Sequence, residues 1–164
     1  MSDDTNLRVI RRSRTHPAPG DVFAMLMPDA KYLYGRVILA NLPAGLAPMP
    51  TSNLIYVYDV RTEEKTPPPI DSLTTDRLLI APQFINRMPW TRGVFENVAH
   101  EPLRSADLLA QHCFSWDVKQ KIYCDERGEA LETRSEPCGI WMLISYRMLD
   151  DYISDALGIP RVPI

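Results

Sequence analysis

Residues 20–39 read Gly20-Asp21-Val22-Phe23-Ala24-Met25-Leu26-Met27-Pro28-Asp29-Ala30-Lys31-Tyr32-Leu33-Tyr34-Gly35-Arg36-Val37-Ile38-Leu39. Across residues 21–27 both alternating faces carry apolar, strand-favouring side chains, the pattern of a strand covered on both sides. Pro28 presets the backbone for a turn and the Asp29 side chain can bond its own backbone, so the chain reverses there. Residues 31–39 form the returning strand. Tyr32 and Tyr34 share one of its faces, and a glycine inside a strand, here Gly35, marks a bulge or a bend at a corner. The stretch is a β-hairpin whose sheet curls at Gly35. Asp21, just behind Gly20, is expected to bond backbone amides of the adjoining turn.

Downstream, Pro43, Gly45, Pro48 and Pro50 break residues 41–52 into a surface loop. A third strand follows at 54–60, with Leu54, Tyr56, Tyr58 and Val60 on one face and Ile55 and Val57 on the other, interrupted by Asp59 near its end. Pro67, Pro68 and Pro69 make a stiff connector. Shorter strands are expected at 78–80 and 93–98, with loops marked by Pro82, Pro89 and Trp90, and a helical turn at 105–112 capped by Ser105. Residues 114–118 and 121–124 read as strands, Asp125-Glu126-Arg127-Gly128 as a turn, and 129–133 as an antiparallel return. In 145–157 the apolar positions Tyr146, Leu149, Tyr152, Ile153 and Leu157 recur at helical spacing, and Gly158 and Pro160 end the helix.

Strands dominate and nothing alternates strand with helix, so the fold class is α+β, mainly β: a curled antiparallel sheet or small SH3-like barrel with a C-terminal helix. The 164 residues suit one folded domain, with 45% apolar and 24% charged side chains. Arg8, Arg11, Arg12, Arg14 and His16 make residues 1–16 a flexible basic lead, leaving 17–164 as the single β-rich domain.

A net charge of -3 gives no general field for a phosphate backbone, so no nucleic-acid partner is expected. The longest uncharged apolar run, 138–146, falls short of the roughly 18 residues a membrane span requires. Cys113, Cys124 and Cys138 are an odd set behind no apolar leader, which points to a reducing, cytoplasmic setting.

Phosphate-loop, dinucleotide, serine-hydrolase and zinc-protease motifs are absent. His112 with Cys113, Cys124 and Cys138 has the atom types of a zinc site, but adjacent residues point apart in a strand and no knuckle spacing is present, so neither metal nor cofactor is expected. Cys113 beside His112, near Asp107 or Asp117, is the only local nucleophile–base cluster, and buried thiols more often act as small hydrophobes. An enzymatic role is disfavoured and no catalytic residue is assigned. Asp125, Glu126, Glu129, Glu132 and Glu136 outnumber Arg127 and Arg134, making either a solvated edge hairpin or a negative patch for a basic partner. Of Trp90, Trp116 and Trp141, Trp90 is the loop tryptophan expected to meet a partner.

Pro19-Gly20-Asp21-Val22-Phe23-Ala24 and Lys31-Tyr32-Leu33-Tyr34-Gly35-Arg36-Val37 resemble the immunity protein 26 family of bacterial polymorphic toxin systems, which opens with a similar Gly-Asp-x-Phe strand and a Gly-Arg-Val strand. A strand ending near Asp59, the Trp90 to Gly93 stretch, and Tyr123 with Asp125, Glu126 and Gly128 look similar as well. The likeness spans about residues 15–130 and leaves out the C-terminal helix. It implies a cytoplasmic protein that neutralises a cognate toxin protein by direct binding, with a homo-oligomer left open. The phosphotriesterase label on some relatives implies an alternative, a small hydrolase that needs metal-bound hydroxide and several His or carboxylate ligands. A third reading is a non-catalytic ligand-binding barrel with a pocket lined by Tyr32, Tyr34, Tyr56 and Tyr58.

Overall fold

The structure is a computed structural model that describes residues 4–164. Its strands and helices run β1 (Asp21–Leu26), β2 (Tyr32–Leu42), β3 (Ser52–Thr62), β4 (Gln83–Ile85), α1 (Met88–Arg92), β5 (Glu96–His100), β6 (Cys113–Asp117), β7 (Ile122–Cys124), β8 (Ala130–Leu131), β9 (Cys138–Ile140), β10 (Leu143–Ile144) and α2 (Tyr146–Leu157).

The expected hairpin is present. β1 and β2 pair antiparallel with Phe23 opposite Gly35 and Leu26 opposite Tyr32. Asp29 Oδ1 accepts from the Lys31 amide at 3.0 Å, and the Met27 amide donates to the Lys31 carbonyl at 2.9 Å, closing the turn as its residue types dictate. A Cβ on Gly35 would run into the Phe23 ring and the Tyr56 carbonyl, so glycine is required where that ring crosses β2. Register shifts in the β2–β3 ladder bend the sheet on either side of this point.

The first sheet orders its strands β10-β4-β3-β2-β1-β5, and the second β8-β7-β6-β9. The sheet is curled, and among the described residues no closed barrel forms. Both sheets are mixed rather than purely antiparallel, because β9 runs parallel to β6 and β10 parallel to β4. The cause is one short segment, 138–144, which lies along the second sheet and then crosses to the first. Strands of two or three residues carry too few alternations to be seen in sequence.

Alternation along β1, β2 and β3 sends side chains to two cores. Phe23, Met25, Leu33, Val37, Ile55 and Val57 face α1 and α2 through Trp90, Phe95, Leu149 and Ile153. Val22, Ala24, Tyr34, Ile38, Leu54, Tyr56 and Tyr58 face the second sheet through Phe114 and Cys124. The first sheet is thus a middle layer, which explains why neither face of β1 is polar.

The C-terminal helix forms where expected: Ser145 Oγ accepts from the Met148 amide at 3.1 Å, and Gly158 closes α2 at a φ of 72°. Three other expectations shift. Residues 78–80 only bridge to β3 and the strand falls at β4; residues 93–95 close α1, so β5 begins at Glu96; and a single 3-10 turn, Ser105–Asp107, replaces the longer helical turn. Its start is closed by Asp107 Oδ2, which accepts from the Arg104 amide at 2.8 Å, rather than by Ser105.

Much of the basic lead lies against the body rather than free. Asp150 on α2 accepts from the amides of Asn6 and Leu7 at 2.9 and 2.8 Å, Leu7 is 5% exposed, and the Arg8, Ile10 and Ser13 amides bond carbonyls of Leu26, Gly93 and Trp90. Residues 1–3 of the expected flexible segment lie outside the described residues. Among the described residues no helix is long and apolar enough to cross a membrane.

Candidate functional site

The turn after β7 is built by Asp125, whose Oδ1 accepts from the Arg127 and Glu129 amides at 2.9 and 3.0 Å, with Gly128 at a φ of 82°. Glu126 turns inward, its Oε2 lying 3.3 Å from His112 Nδ1. His112 Nε2 lies 2.6 Å from the Tyr56 hydroxyl oxygen, which already accepts from the Leu109 amide at 3.1 Å. This geometry suits a neutral imidazole that takes the hydroxyl proton at Nε2 and carries its own proton on Nδ1, facing Glu126. Burial pushes the His112 pKa down, against the pull of Glu126, and pushes the Tyr56 hydroxyl up to about 12. Tyr56 is fully buried and His112 is 7% exposed, so this chain of groups ties the hairpin to the core and offers no open reaction site.

Beyond that tie, Glu129, Glu132 and Glu136 are exposed. Glu136 Oε1 accepts from Arg134 Nε at 2.7 Å, which holds its carboxyl below the usual range. The turn abuts Trp141: a Cβ on Gly128 would lie 3.0 Å from its ring. Trp141 stacks at 6.1 Å on Trp116, which is 59% exposed, and Val118 and Ile122 on the same β6–β7 hairpin are exposed too. The second sheet so presents an aromatic and aliphatic strip beside an acidic hairpin.

Trp90 is corrected. It lies on α1 at 1% exposure, packed edge-on against Phe23 and Phe95 at 5.5 and 5.0 Å, and has no surface to offer a partner. Pro89 occupies the first turn of α1, where its missing N–H is harmless, so the Pro-Trp pair begins a helix instead of a loop. The exposed tryptophan is Trp116, and its visible signal was the polar neighbourhood of Asp117, Lys119 and Gln120.

Asp21 bonds the Ala18 amide at 2.8 Å, as expected, and also His100 Nδ1 at 2.8 Å and Asn97 Nδ2 at 3.1 Å. Arg36 is fully buried: its Nη2 donates to the Glu101 carbonyl at 2.8 Å and its Nη1 lies 3.4 Å from Asp107 Oδ2. Both residues of the resemblance thus serve the scaffold. The Cys113 thiol donates to Cys138 Sγ at 3.0 Å across β6 and β9, burial pushes the Cys124 and Cys138 thiols up to about 12, and among the described residues no three His, Cys, Asp or Glu gather as a metal site. Tyr34, Tyr56 and Tyr58 fill the core under the second sheet instead of lining a pocket, because Phe114 and its neighbours occupy that face.

The scaffold is β-rich, with two mixed sheets, a C-terminal helix and an exposed charged hairpin. The family described as Immunity protein 26 matches residues 18–125, and the chain belongs to that family. The match covers β1 through β7 and stops at the acidic turn. No curated protein and no solved structure matches the chain.

Proposed function

We propose that this chain is an immunity protein that neutralises a cognate bacterial toxin domain in the cytoplasm by binding it directly through the outer face of the second sheet. The observation that carries this reading is Trp116, 59% exposed and held flat on Trp141 beside the acidic turn. A large aromatic side chain kept in water on a rigid strand is the kind of group that anchors protein interfaces once buried in a partner's pocket. Asp125 and Glu126 shape the hairpin, while Glu129, Glu132 and Glu136 supply a negative rim that steers a basic partner surface and makes association fall with salt. Family membership supports the toxin as that partner.

Co-expression with the toxin encoded beside its gene, followed by affinity measurement on purified proteins, tests this. Wild-type protein restores growth, Trp116→Ala weakens binding by about 30-fold or more, as expected for an aromatic anchor, and Glu129→Lys with Glu132→Lys slows association at low salt. Absence of a complex, or a complex indifferent to all three substitutions, refutes the proposal.

A further inference from the structure

On the opposite face of the first sheet the lead segment and α1 build a second charged surface. Ser13 and Ile10 amides bond the carbonyls of Trp90 and Gly93, which fixes the lead beside α1. Arg12, Ser13, Arg14, Arg87 and Thr91 then line a groove of about 640 Å³. Arg87 also borders a smaller cavity of about 180 Å³ with His16, Asn41 and Asn53, and its Nη1 donates to His16 Nε2 at 2.6 Å. Among the described residues no carboxylate lines either space. Arg12, Arg14 and Arg87 make no ion pair among the described residues, in a chain where acidic residues outnumber basic ones, 21 to 18.

We infer that this groove is a binding site for a short acidic peptide segment of a partner protein. Three guanidinium groups around one space present forked donors suited to carboxylates, and the Ser13 hydroxyl, which accepts from the Thr15 amide, keeps its proton to donate. A peptide fits better than a nucleic acid because the positive potential is local: the net charge of -3 repels an extended polyanion but not a segment confined to the groove. In a second copy of this chain Asp125 is engaged by turn amides, Glu126 by His112 and Glu136 by Arg134, which leaves the exposed Glu129 and Glu132 as the hairpin carboxylates it could offer, and the test below includes that occupant. The site is independent of the neutralising face, since α1 packs on the core containing Phe23 whereas the second sheet packs on the core containing Tyr56.

The test is fluorescence anisotropy with fluorescein-labelled octaglutamate at low salt, needing no toxin. Octaglutamate binds wild type, and affinity falls at least tenfold in Arg12→Glu/Arg14→Glu and to a lesser degree in Arg12→Gln/Arg14→Gln. Trp116→Ala and Arg134→Glu leave the affinity unchanged, so failure here is separable from failure of the neutralising face. Equal binding by the double charge reversal overturns the inference. So does tighter binding of labelled octathymidylate than of octaglutamate, or salt-sensitive self-association that occupies the groove in the absence of peptide.

Discussion

Trp90 and Trp116 differ in what surrounds them, and their substitutions separate packing from contact. Trp90→Ala removes a ring packed edge-on against the stacked pair Phe23 and Phe95 and is expected to cost about 3 to 5 kcal/mol, read by urea denaturation. Trp116→Ala leaves the denaturation midpoint nearly unchanged while weakening partner binding. His112 sets a pH dependence. Its folded pKa lies below the unfolded value of about 6.5, so the unfolded chain binds the proton more readily. The contribution to stability is therefore complete above the unfolded pKa and is lost as pH falls through it towards the folded value. Facing His112 are Glu126 and the Tyr56 hydroxyl. Denaturation midpoints measured from pH 7.5 to 5.5 should decline in wild type and decline less in His112→Gln.

Among the elements, α2 and the lead segment form a unit through Asp150. That carboxylate is buried on a helix and accepts two backbone N–H groups of another segment, so its own burial pushes the pKa up while the amides oppose the shift. Asp150→Ala leaves both amides without their acceptor and should cost about 2 to 3 kcal/mol, hydrogen bonds to charged groups being the stronger kind. Hydrogen exchange at Asn6 and Leu7 should accelerate more than at β2 amides, and unchanged exchange would sink this account. α2 was legible because its cap, spacing and terminating glycine are all local. α1 was not, since five residues starting with Met88-Pro89-Trp90 show no period and Pro89 serves equally in a loop or a first helical turn.

For the whole molecule, the two sheets share one core: Phe84 of the first and Phe114 of the second lie 4.7 Å apart, and residues 138–144 belong to both. Neither sheet can lose its partner without exposing this interface, so unfolding is expected to be a single transition. Tryptophan fluorescence and far-ultraviolet circular dichroism should give coincident urea curves; separated midpoints would show independent sheets. The charge arrangement also belongs to this scale, with arginines beside α1 and carboxylates on the second sheet, which a net charge conceals.

Taken by itself, the sequence determined the 20–39 hairpin, the turn at Asp125 to Gly128 and the helix at 145–157. Each depends on neighbours within a few positions: alternation, a turn residue, a cap. The acidic residues were visible as a run, but not which of them face inward, because Glu126 is drawn in by a histidine fourteen positions earlier. The tertiary structure alone decided which tryptophan is covered, that 138–144 joins both sheets, and that Arg12 and Arg14 meet Arg87. Period and parity state which side chains share a face; only packing of segments distant in the chain settles which faces are covered and which charges meet.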